Sequence, residues 1–311
     1  MAEKKRLIVI DANSIIHRAF HALPPLTTKK GKPVGAVYGF LLVFLKTIRE
    51  FKPDFVIACF DFPAPTFRHQ AFKAYKAKRP PAPKELYRQI PIVKEILKSF
   101  NVSVFEKEGF EADDLIGTVA SKFIRKQVFP KAETIVLSGD LDTLQLINNN
   151  TRVYLLRRGV RNTVLYGESL VKEKYSGLSP GQLIDFRALK GDPSDNIPGV
   201  TGIGEKTTID LLKKFGTLEN LYAQVPKTTK IKTKVKELLV KQKEQAFLSK
   251  KLAQIDKNVP ITLSLKKCQW GKYEKEKVLE IFERLEFHTL AKKLTQLEKE
   301  NPMSQNKLKL W

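Results

Sequence analysis

Three short apolar runs each end in an aspartate, and this pattern constrains the fold more than any other feature of the sequence. The runs read RLIVID, DFVIACFD and TIVLSGD, and they close on Asp11, Asp61 and Asp140. Continuous apolar runs that alternate with segments of helical spacing are typical of buried strands in a parallel α/β sheet. Ligands bind such sheets at the carboxyl ends of the strands, so we expect the three acids at one functional edge. Alternatively, each aspartate only forms a turn or caps a helix.

The character of the chain changes near residue 172. Before that point apolar runs alternate with helical patterns, and afterwards lysine-rich helical patterns continue to about residue 297. The pattern predicts an α/β core over 1–172 and a helical domain over 173–297, with 153–156 and 163–166 as a hairpin or edge pair of the core. We expect residues 298–311, which lack periodicity, to form a flexible tail.

The charge balance points to the class of partner. Of 311 residues, 56 are lysine or arginine and 33 are aspartate or glutamate, which gives a formal net charge of +23. Such an excess favours a polyanionic partner, although a general solubility surplus gives the same count. No window approaches the ~18 apolar residues of a membrane span, and the apolar run after the N-terminus is too short for a signal peptide. We therefore expect a cytoplasmic protein. The sequence has two cysteines and no CxxC pattern, which argues against disulfides and against a cysteine zinc site.

Further acids belong to the same predicted edge. They open a predicted helix after residue 110, follow Asp140 directly, and lie in the loop after a predicted helix over 181–190. Helix capping and polar turns are the alternative explanations for them. With the strand-end residues they make nine candidate metal ligands: Asp11, Asp61, Glu111, Asp113, Asp114, Asp140, Asp142, Asp192 and Asp195.

Nine converging carboxylates cannot all stay ionised without cations, because like charges raise one another's pKa. Hard divalent cations with oxygen ligands resolve this conflict, and a site so acidic should hold more than one ion. Two ions about 3.5–4 Å apart stabilise the attacking and leaving oxygens of a phosphodiester. The residues thus predict a two-metal phosphoryl hydrolase. The four histidines lack ligand spacing, and we assign them no metal role.

A glycine-rich segment, IPGVTGIGEKTT over 197–208, precedes a predicted helix over 205–215. Glu205 interrupts a P-loop pattern and Thr207 replaces the last glycine of a Rossmann fingerprint, so an ATPase and a dehydrogenase are disfavoured. The pattern fits a helix–hairpin–helix, in which glycines let the backbone approach a phosphate near a helix N-terminus. A plain turn between helices is the alternative. The candidate nucleic-acid contacts are Gly199, Gly202, Gly204 and Lys206.

Two basic segments add further candidates. Segment 66–88 has seven lysine and arginine residues, one acid and interleaved aromatics, which fits single-stranded nucleic acid, and its prolines prevent one continuous helix. Segment 227–251 has nine lysines and two glutamates and is a second phosphate-facing candidate. A solvated loop and a solvated helix face are the respective alternatives. In the first segment the candidate contacts are Arg68, Lys73 and Tyr75.

Together these stretches resemble the 5′ nuclease domain of bacterial DNA polymerase I, a member of the flap endonuclease superfamily. The resemblance rests on IDANSIIHRAFHALPPL, FDFPAPTFRHQAFKAYKAKRPP, GFEADDLIGT, SGDLDTLQL and ALKGDPSDNIPGVTGIGEKT, which follow the family's order and spacing from about residue 5 to 294. It implies a resolvase-like or PIN-like parallel-sheet nuclease core, followed by a helix–three-turn–helix domain that binds DNA through a helix–hairpin–helix at about 185–216. It also implies a basic arch at about 66–90 over the 5′ strand.

The resemblance implies roles for single residues as well. Lys76 and Arg79 match basic residues near the scissile phosphate, and Arg18 matches a basic partner behind the site. Asp114 and Asp192 would support the metal ligands. The first metal would be held by Asp11, Asp61, Glu111 and Asp113, and the second by Asp140, Asp142 and Asp195.

We therefore predict a magnesium-dependent, structure-specific 5′–3′ exonuclease and flap endonuclease that acts on DNA in primer removal, replication and repair. The resemblance implies two or more Mg²⁺ ions, with Mn²⁺ as a substitute, and K⁺ as a candidate at the glycine hairpin. Expected partners are DNA with 5′ flaps, nicks or RNA primers and a separate DNA polymerase, with no membrane and a monomeric state. No polymerase-like sequence follows the likeness, so the chain is either a stand-alone enzyme or a fragment of a longer polymerase, and the short tail that ends in Trp311 favours the stand-alone enzyme.

Two rival functions stay open on the sequence alone. A non-catalytic DNA junction-binding protein would bind flaps and ignore metals, but it would lack some of the acids, and none is missing. An RNA-specific nuclease on a similar metal core is the second rival. The glycine hairpin and the long basic second domain favour duplex DNA over it.

Overall fold

The computed structural model describes residues 4–125, 129, 131–160 and 162–300. Within them six strands form one sheet in the order β3-β2-β1-β4-β5-β6. The strands are β1 (Lys5–Asp11), β2 (Phe55–Cys59), β3 (Ser103–Phe105), β4 (Ala132–Ser138), β5 (Thr151–Arg158) and β6 (Asn162–Tyr166). Strands β1 to β5 are parallel, and β6 runs antiparallel to β5. The predicted α/β class is confirmed, and so is the edge pair formed by the last two strands.

Helices cover the sheet and build the rest of the described chain. Around the sheet the helices are α1 (Ala12–Ala22), α2 (Gly35–Phe51), α3 (Phe67–Ala71), α4 (Lys84–Tyr87), α5 (Ile90–Ser99), α6 (Ala112–Arg125) and α7 (Glu168–Lys174). The later helices are α8 (Leu183–Lys190), α9 (Glu205–Phe215), α10 (Leu218–Gln224), α11 (Thr233–Lys241), α12 (Lys243–Ala253), α13 (Lys275–Arg284) and α14 (His288–Glu300). None of the helices described is both long and apolar enough to cross a bilayer.

Burial on both faces of the sheet explains the continuous apolar runs. Ile8 and Ile10 pack on one face with α1, α2 and α5, whereas Leu7 and Val9 pack on the other with α6. All four side chains are fully buried, because successive residues of a strand point to opposite faces. A central strand that is covered on both faces therefore cannot alternate between apolar and polar residues.

The helical region has its own core, but the chain then returns to the sheet. Buried residues between Leu178 and Ala246 form that core around α8 to α12. Beyond α12 the chain packs first on the α6 face, through Ile255 and Val259, and then on the opposite face through α13 and α14. Apolar spacing marks the buried stripe of a helix but does not identify its partner, so the sequence suggested one continuous helical domain. The domain boundaries stay a prediction. Residues 298–300 belong to α14, and 301–311 lie outside the described residues.

Candidate metal centre and nucleic-acid interface

The carboxyl ends of β1 and β4 meet at the point where the strand order reverses, which is where open α/β sheets bind ligands. Asp11 closes β1 and caps α1, and its carboxylate accepts a hydrogen bond from the Ser14 amide at 3.2 Å. The Ser138 hydroxyl donates to the Asp11 carboxylate at 2.6 Å and accepts from the Asp140 amide at 2.9 Å. Ser138 thus links the two strand-end acids. Sequence reasoning missed it, although it stands two residues before Asp140.

A cavity of about 620 Å³ opens over this edge. The basic residues Arg18, Arg68, Lys76 and Arg79 line it, together with two histidines, His17 and His21, for which the sequence predicts no metal role. Seven of the nine predicted metal ligands also line it: Asp11, Asp61, Glu111, Asp113, Asp140, Asp142 and Asp195. The fold therefore brings acids from β1, the β2 end, α6, the β4 end and the loop after α8 to one cavity.

The electrostatics of the cavity fit bound cations. Burial and the charges of Asp140 and Asp61 raise the pKa of Asp11 to about 6, against hydrogen bonds from Ser138 and Ser14 that lower it. Burial and the charges of Asp11 and Asp140 raise the pKa of Asp113 well above its ordinary value. Raised carboxyl pKa values mean that the protein does not by itself compensate the negative charge here. Oxygen ligands with uncompensated charge are the donors that hard divalent cations prefer.

Basic side chains pair with three other acids of the cluster. Lys76 bonds to Glu111 at 3.0 Å, Arg79 pairs with Asp195, and Arg187 on α8 pairs with Asp142. As the side chains stand, no three acidic, histidine or cysteine groups of the described residues are close enough together to hold one ion. Three of the lining acids, Glu111, Asp142 and Asp195, are held by basic partners in this arrangement. Cation binding at this cavity would therefore require some carboxylates to rotate away from these partners.

Arg187 is a functional candidate that sequence reasoning missed. Its guanidinium lies 3.7 Å from the Asp192 carboxylate in addition to its pair with Asp142. Burial raises the pKa of Asp192, but hydrogen bonds from Ser194 and the charge of Arg187 lower it below its ordinary value. Asp192 is not a lining residue of the cavity, so its predicted supporting role stays a prediction. The sequence does offer one signal for this residue, since Arg187 lies on the predicted helix just before the acidic loop.

Two predicted site residues form a buried ion pair with each other. Arg68, a predicted DNA contact, is 2% exposed, and Asp114, a predicted metal ligand, is fully buried. Two hydrogen bonds of 2.7 and 2.8 Å join them. Asp114 also accepts hydrogen bonds from the amides of Glu111 and Asp256. This placement favours a structural role for both residues.

The predicted arch contains the short helices α3 and α4, with its prolines outside or at the ends of them. Tyr75 is 3% exposed, and its hydroxyl lies 3.1 Å from the Glu111 carboxylate and 3.2 Å from that of Asp195. Burial and these two carboxylates raise the pKa of Tyr75, so it stays a hydrogen-bond donor. Tyr75 is therefore not available to stack on a base. Lys73 is exposed and remains accessible to a nucleic acid.

Arg18 supports the turn that carries Asp140. Its guanidinium donates to the Gly139 carbonyl at 2.9 Å and to the Arg157 carbonyl at 3.0 Å. A Cβ at position 139 would lie 2.5 Å from the Arg18 Nε, so only glycine leaves room for this contact. Arg18 thus fixes backbone behind the acids, and its role as the basic partner that the resemblance implies stays a prediction.

The glycine hairpin joins α8 to α9, as the pattern predicts. Gly199 has a φ of +62° and is buried, and its amide donates to the Ser249 hydroxyl at 3.0 Å. Gly202 has a φ of +93° and is exposed, as are Gly204 and Lys206. Three of the four predicted contacts are thus accessible, whereas the amide of Gly199 is already used inside the protein.

Family models cover most of the chain. Residues 6–176 match the model described as 5′-3′ exonuclease, N-terminal resolvase-like domain, and residues 178–276 match that described as 5′-3′ exonuclease, C-terminal SAM fold. Among curated relatives, DNA polymerase I of Bacillus subtilis is 43% identical over 94% of this chain and 33% of its own length. The thermostable DNA polymerase I of Thermus thermophilus is 38% identical over 97% of this chain and 34% of its own. The chain therefore spans about a third of the length of these relatives.

Solved structures share the fold at low sequence identity. A T5 5′-exonuclease with bound zinc ions has a TM-score of 0.67 and 18% identity, and the match covers 95% of this chain and 99% of that one. The catalytic core of Rad2 in complex with DNA substrate has a TM-score of 0.58 and 14% identity, with coverage of 96% and 93%. With its two family domains, its mostly parallel sheet and its acidic strand-end cavity, the chain belongs to the 5′-3′ exonuclease family, as its sequence predicted.

Proposed function

We propose that this protein is a magnesium-dependent, structure-specific 5′ nuclease that hydrolyses DNA phosphodiesters at flaps, nicks and RNA primers during replication and repair. One observation carries the proposal: acids from five separate chain segments line a single cavity, and the basic residues Lys76 and Arg79 of the arch line it with them. An acidic floor suits divalent cations, and basic groups beside it suit the phosphate of the cleaved strand.

The proposed metal ligands fall into two groups around the cavity. Asp11, Asp61, Glu111 and Asp113 would hold one Mg²⁺, and Asp140, Asp142 and Asp195 a second. The raised pKa values of Asp11 and Asp113 support this assignment, since they mark charge that a cation would compensate. When bound, the two cations supply charge that activates water and stabilises the leaving oxygen. Mn²⁺ has the same ligand preference and is the proposed substitute.

The basic residues have distinct proposed tasks. Lys76 and Arg79 now pair with Glu111 and Asp195, and an entering phosphate would offer them an alternative anionic partner as cations take over the carboxylates. Arg18 keeps the turn before Asp140 in place through the Gly139 carbonyl. Exposed Lys73 would contact the backbone of the 5′ strand. Catalysis would depend on this positioning, because misplacement by about 1 Å costs up to ~100-fold in rate.

The hairpin would hold duplex DNA through its exposed part. Gly204 caps α9 and Gly202 lies two residues before it, next to the helix N-terminus, where free amides bind phosphate, and Lys206 adds a charge. The proposal of K⁺ on hairpin carbonyls gains no support from this geometry. The carbonyl oxygens of Gly199 and Thr201 already accept hydrogen bonds from Gln245 and Gln242.

Solved structures of similar fold support DNA as the substrate and a divalent metal ion as the cofactor. Solved T5 enzymes are described with divalent metal ions or with DNA and metal ions, and Rad2 with DNA substrate. We therefore propose DNA as the substrate and a separate DNA polymerase as the partner in primer removal. We also propose that the protein acts as a monomer in the cytoplasm.

Cleavage of a 5′-labelled flap duplex tests the proposal. We expect cuts at the junction with Mg²⁺ or Mn²⁺, none with chelator, and none from Asp140→Ala, which should still bind the flap. A matched RNA flap distinguishes the RNA-specific nuclease, which would cut it in preference to DNA. Tight binding without cleavage in any divalent metal would contradict the nuclease proposal and favour the junction-binding protein.

A further inference from the structure

Helix α12 and its N-cap residue Gln242 hold the glycine hairpin through three polar side chains. Gln242 accepts a hydrogen bond from the Thr201 amide at 2.8 Å and donates one to the Thr201 carbonyl at 3.0 Å. Gln245 donates to the Gly199 carbonyl at 2.7 Å, and the buried Ser249 accepts from the Gly199 amide at 3.0 Å. Two residues of the hairpin backbone are thus fixed to one helix.

The segment 252–256, here called the strap, begins in the last turn of α12 and borders the acidic cavity. Three of its residues, Leu252, Ala253 and Ile255, line that cavity. Arg68 donates to two carbonyl oxygens of the strap at 2.9 and 2.8 Å, and Asp114 accepts from its last amide at 2.8 Å. The same helix that holds the hairpin therefore continues into backbone anchored beside the acids.

Gln145 makes the attachment that reaches the acids most directly. It lies in the 3₁₀ helix Leu141–Leu146, which Asp140 caps and whose first turn carries Asp142. Its side-chain amide donates to the Ala253 carbonyl and accepts from the Ile255 amide, both at 3.0 Å. The residue is 5% exposed. One buried amide thus joins the turn that carries two proposed metal ligands to the strap.

We propose that Gln145 is a positioning residue for the nuclease reaction, which makes the placement of Asp140 and Asp142 depend on DNA held at the hairpin. The inference rests on the proposed function. Helix α12 has 11 residues and is about 16 Å long, so a shift at the hairpin moves its far end as one body. Leaving a buried amide or carbonyl without a partner is costly, so the strap and the 3₁₀ helix move together.

Gln145→Met tests the proposal because it keeps the volume and removes both hydrogen bonds. The matched control is Tyr154→Phe, which loses hydrogen bonds to Glu50 and Thr163 from a side chain that is 3% exposed and does not contact the strap. On a DNA flap we expect kcat to fall about ten- to a hundredfold in Gln145→Met, with KM changed less than about twofold. Tyr154→Phe should lower Tm by about as much as Gln145→Met does, but it should keep the wild-type kcat. Equal kcat values in the two variants would overturn the proposal.

Hydrogen–deuterium exchange without divalent metal gives a readout that does not need cleavage. Adding duplex DNA should slow exchange of amides 141–147 and of the hairpin in the wild type. In Gln145→Met the hairpin should still be protected, whereas protection at 141–147 should be lost. Unchanged protection at 141–147 would contradict the coupling. A wild type that shows protection but never cleaves DNA would defeat the proposed function and leave the mechanical coupling intact.

A variant at the other end of this chain of contacts keeps the test valid if Gln145→Met does not fold. Gln242 and Gln245 are partly exposed, so the double variant Gln242→Met/Gln245→Met should fold while losing the side-chain hydrogen bonds to Thr201 and to the Gly199 carbonyl. At saturating DNA we expect it to reduce protection at 141–147 as well. Full protection there would show that the hairpin does not act through α12, which would overturn the inference.

Discussion

Arg68 and Asp114 face each other through two hydrogen bonds of 2.7 and 2.8 Å, and neither side chain is more than 3% exposed. Arg68 comes from the first helix of the arch, and Asp114 from the first turn of α6. Burying both charges costs desolvation energy, which close geometry and the additional hydrogen bonds to the strap offset. The pair therefore joins the base of the arch to the acidic helix.

Removing one member of this pair leaves a buried charge without a partner, at a cost of about 3–5 kcal/mol. We expect Asp114→Asn and Arg68→Met each to lower the free energy of unfolding by about that amount, and the double variant to cost less than the sum. Urea unfolding measures this. Arg49→Met, whose partner Glu300 is exposed, is the control and should cost about 0–1 kcal/mol. Equal losses at Arg49 and Arg68 would contradict the buried pair.

Lys76 should matter more for the rate than for affinity. Its ammonium lies 3.0 Å from Glu111 and belongs to the cavity, where charge develops during hydrolysis. We expect Lys76→Met to lower the single-turnover rate about 10²–10³-fold with a smaller change in the Kd for DNA. Lys73→Met is the matched control, since Lys73 is exposed, and it should mainly weaken binding and reduce the salt slope by about 1. The reverse pattern would move the catalytic role from Lys76 to Lys73.

Substitution by alanine should be costly at one glycine of the hairpin and nearly neutral at another. Gly199 has a φ of +62°, and a Cβ there would lie 2.3 Å from the Gly191 amide nitrogen. Gly204 has a φ of −89° and open space around its Cα. We expect Gly199→Ala to cost more than ~2 kcal/mol of unfolding free energy and to abolish duplex binding, because the backbone must shift. Gly204→Ala should change stability by less than ~1 kcal/mol. Calorimetric melting of both variants checks this, and a stable Gly199→Ala would refute the steric argument.

Glu133 should make stability depend on pH in the acid range. Burial would raise the pKa of Glu133, but hydrogen bonds from Arg6, Lys4 and Arg152 lower it below its ordinary value of 4.5. A carboxylate with a lowered folded pKa stabilises the protein above its unfolded pKa, and this contribution is lost as the pH falls through the folded value. We expect Glu133→Gln to cost about 2 kcal/mol at pH 7 and the difference from wild type to shrink below about pH 4.5. Urea unfolding from pH 7 to 3 measures it. A difference that grows on acidification would have the wrong sign.

The sequence predicts elements well where one periodicity dominates. The runs that end in Asp11 and Asp140 are β1 and β4, and the helix predicted over 205–215 is α9. The sequence also predicts a shared edge for seven acids that line one cavity in the structure, since the carboxyl ends of parallel strands share an edge. An element that follows another without a turn between them was harder to predict. Helix α1 follows Asp11 directly and was not predicted, because its start has no turn between strand and helix.

Local pattern by itself determined the parallel sheet, its acidic edge and the hairpin with its required glycines, because strand period, turn chemistry and positive φ are properties of neighbouring residues. Tertiary structure alone decided which polar groups reach the cavity and which form hydrogen bonds or ion pairs inside the protein. Arg68 and Asp114 are 46 positions apart, and Gln145 meets the strap across 108. Contacts over such separations depend on how whole elements pack, which no spacing in the sequence encodes.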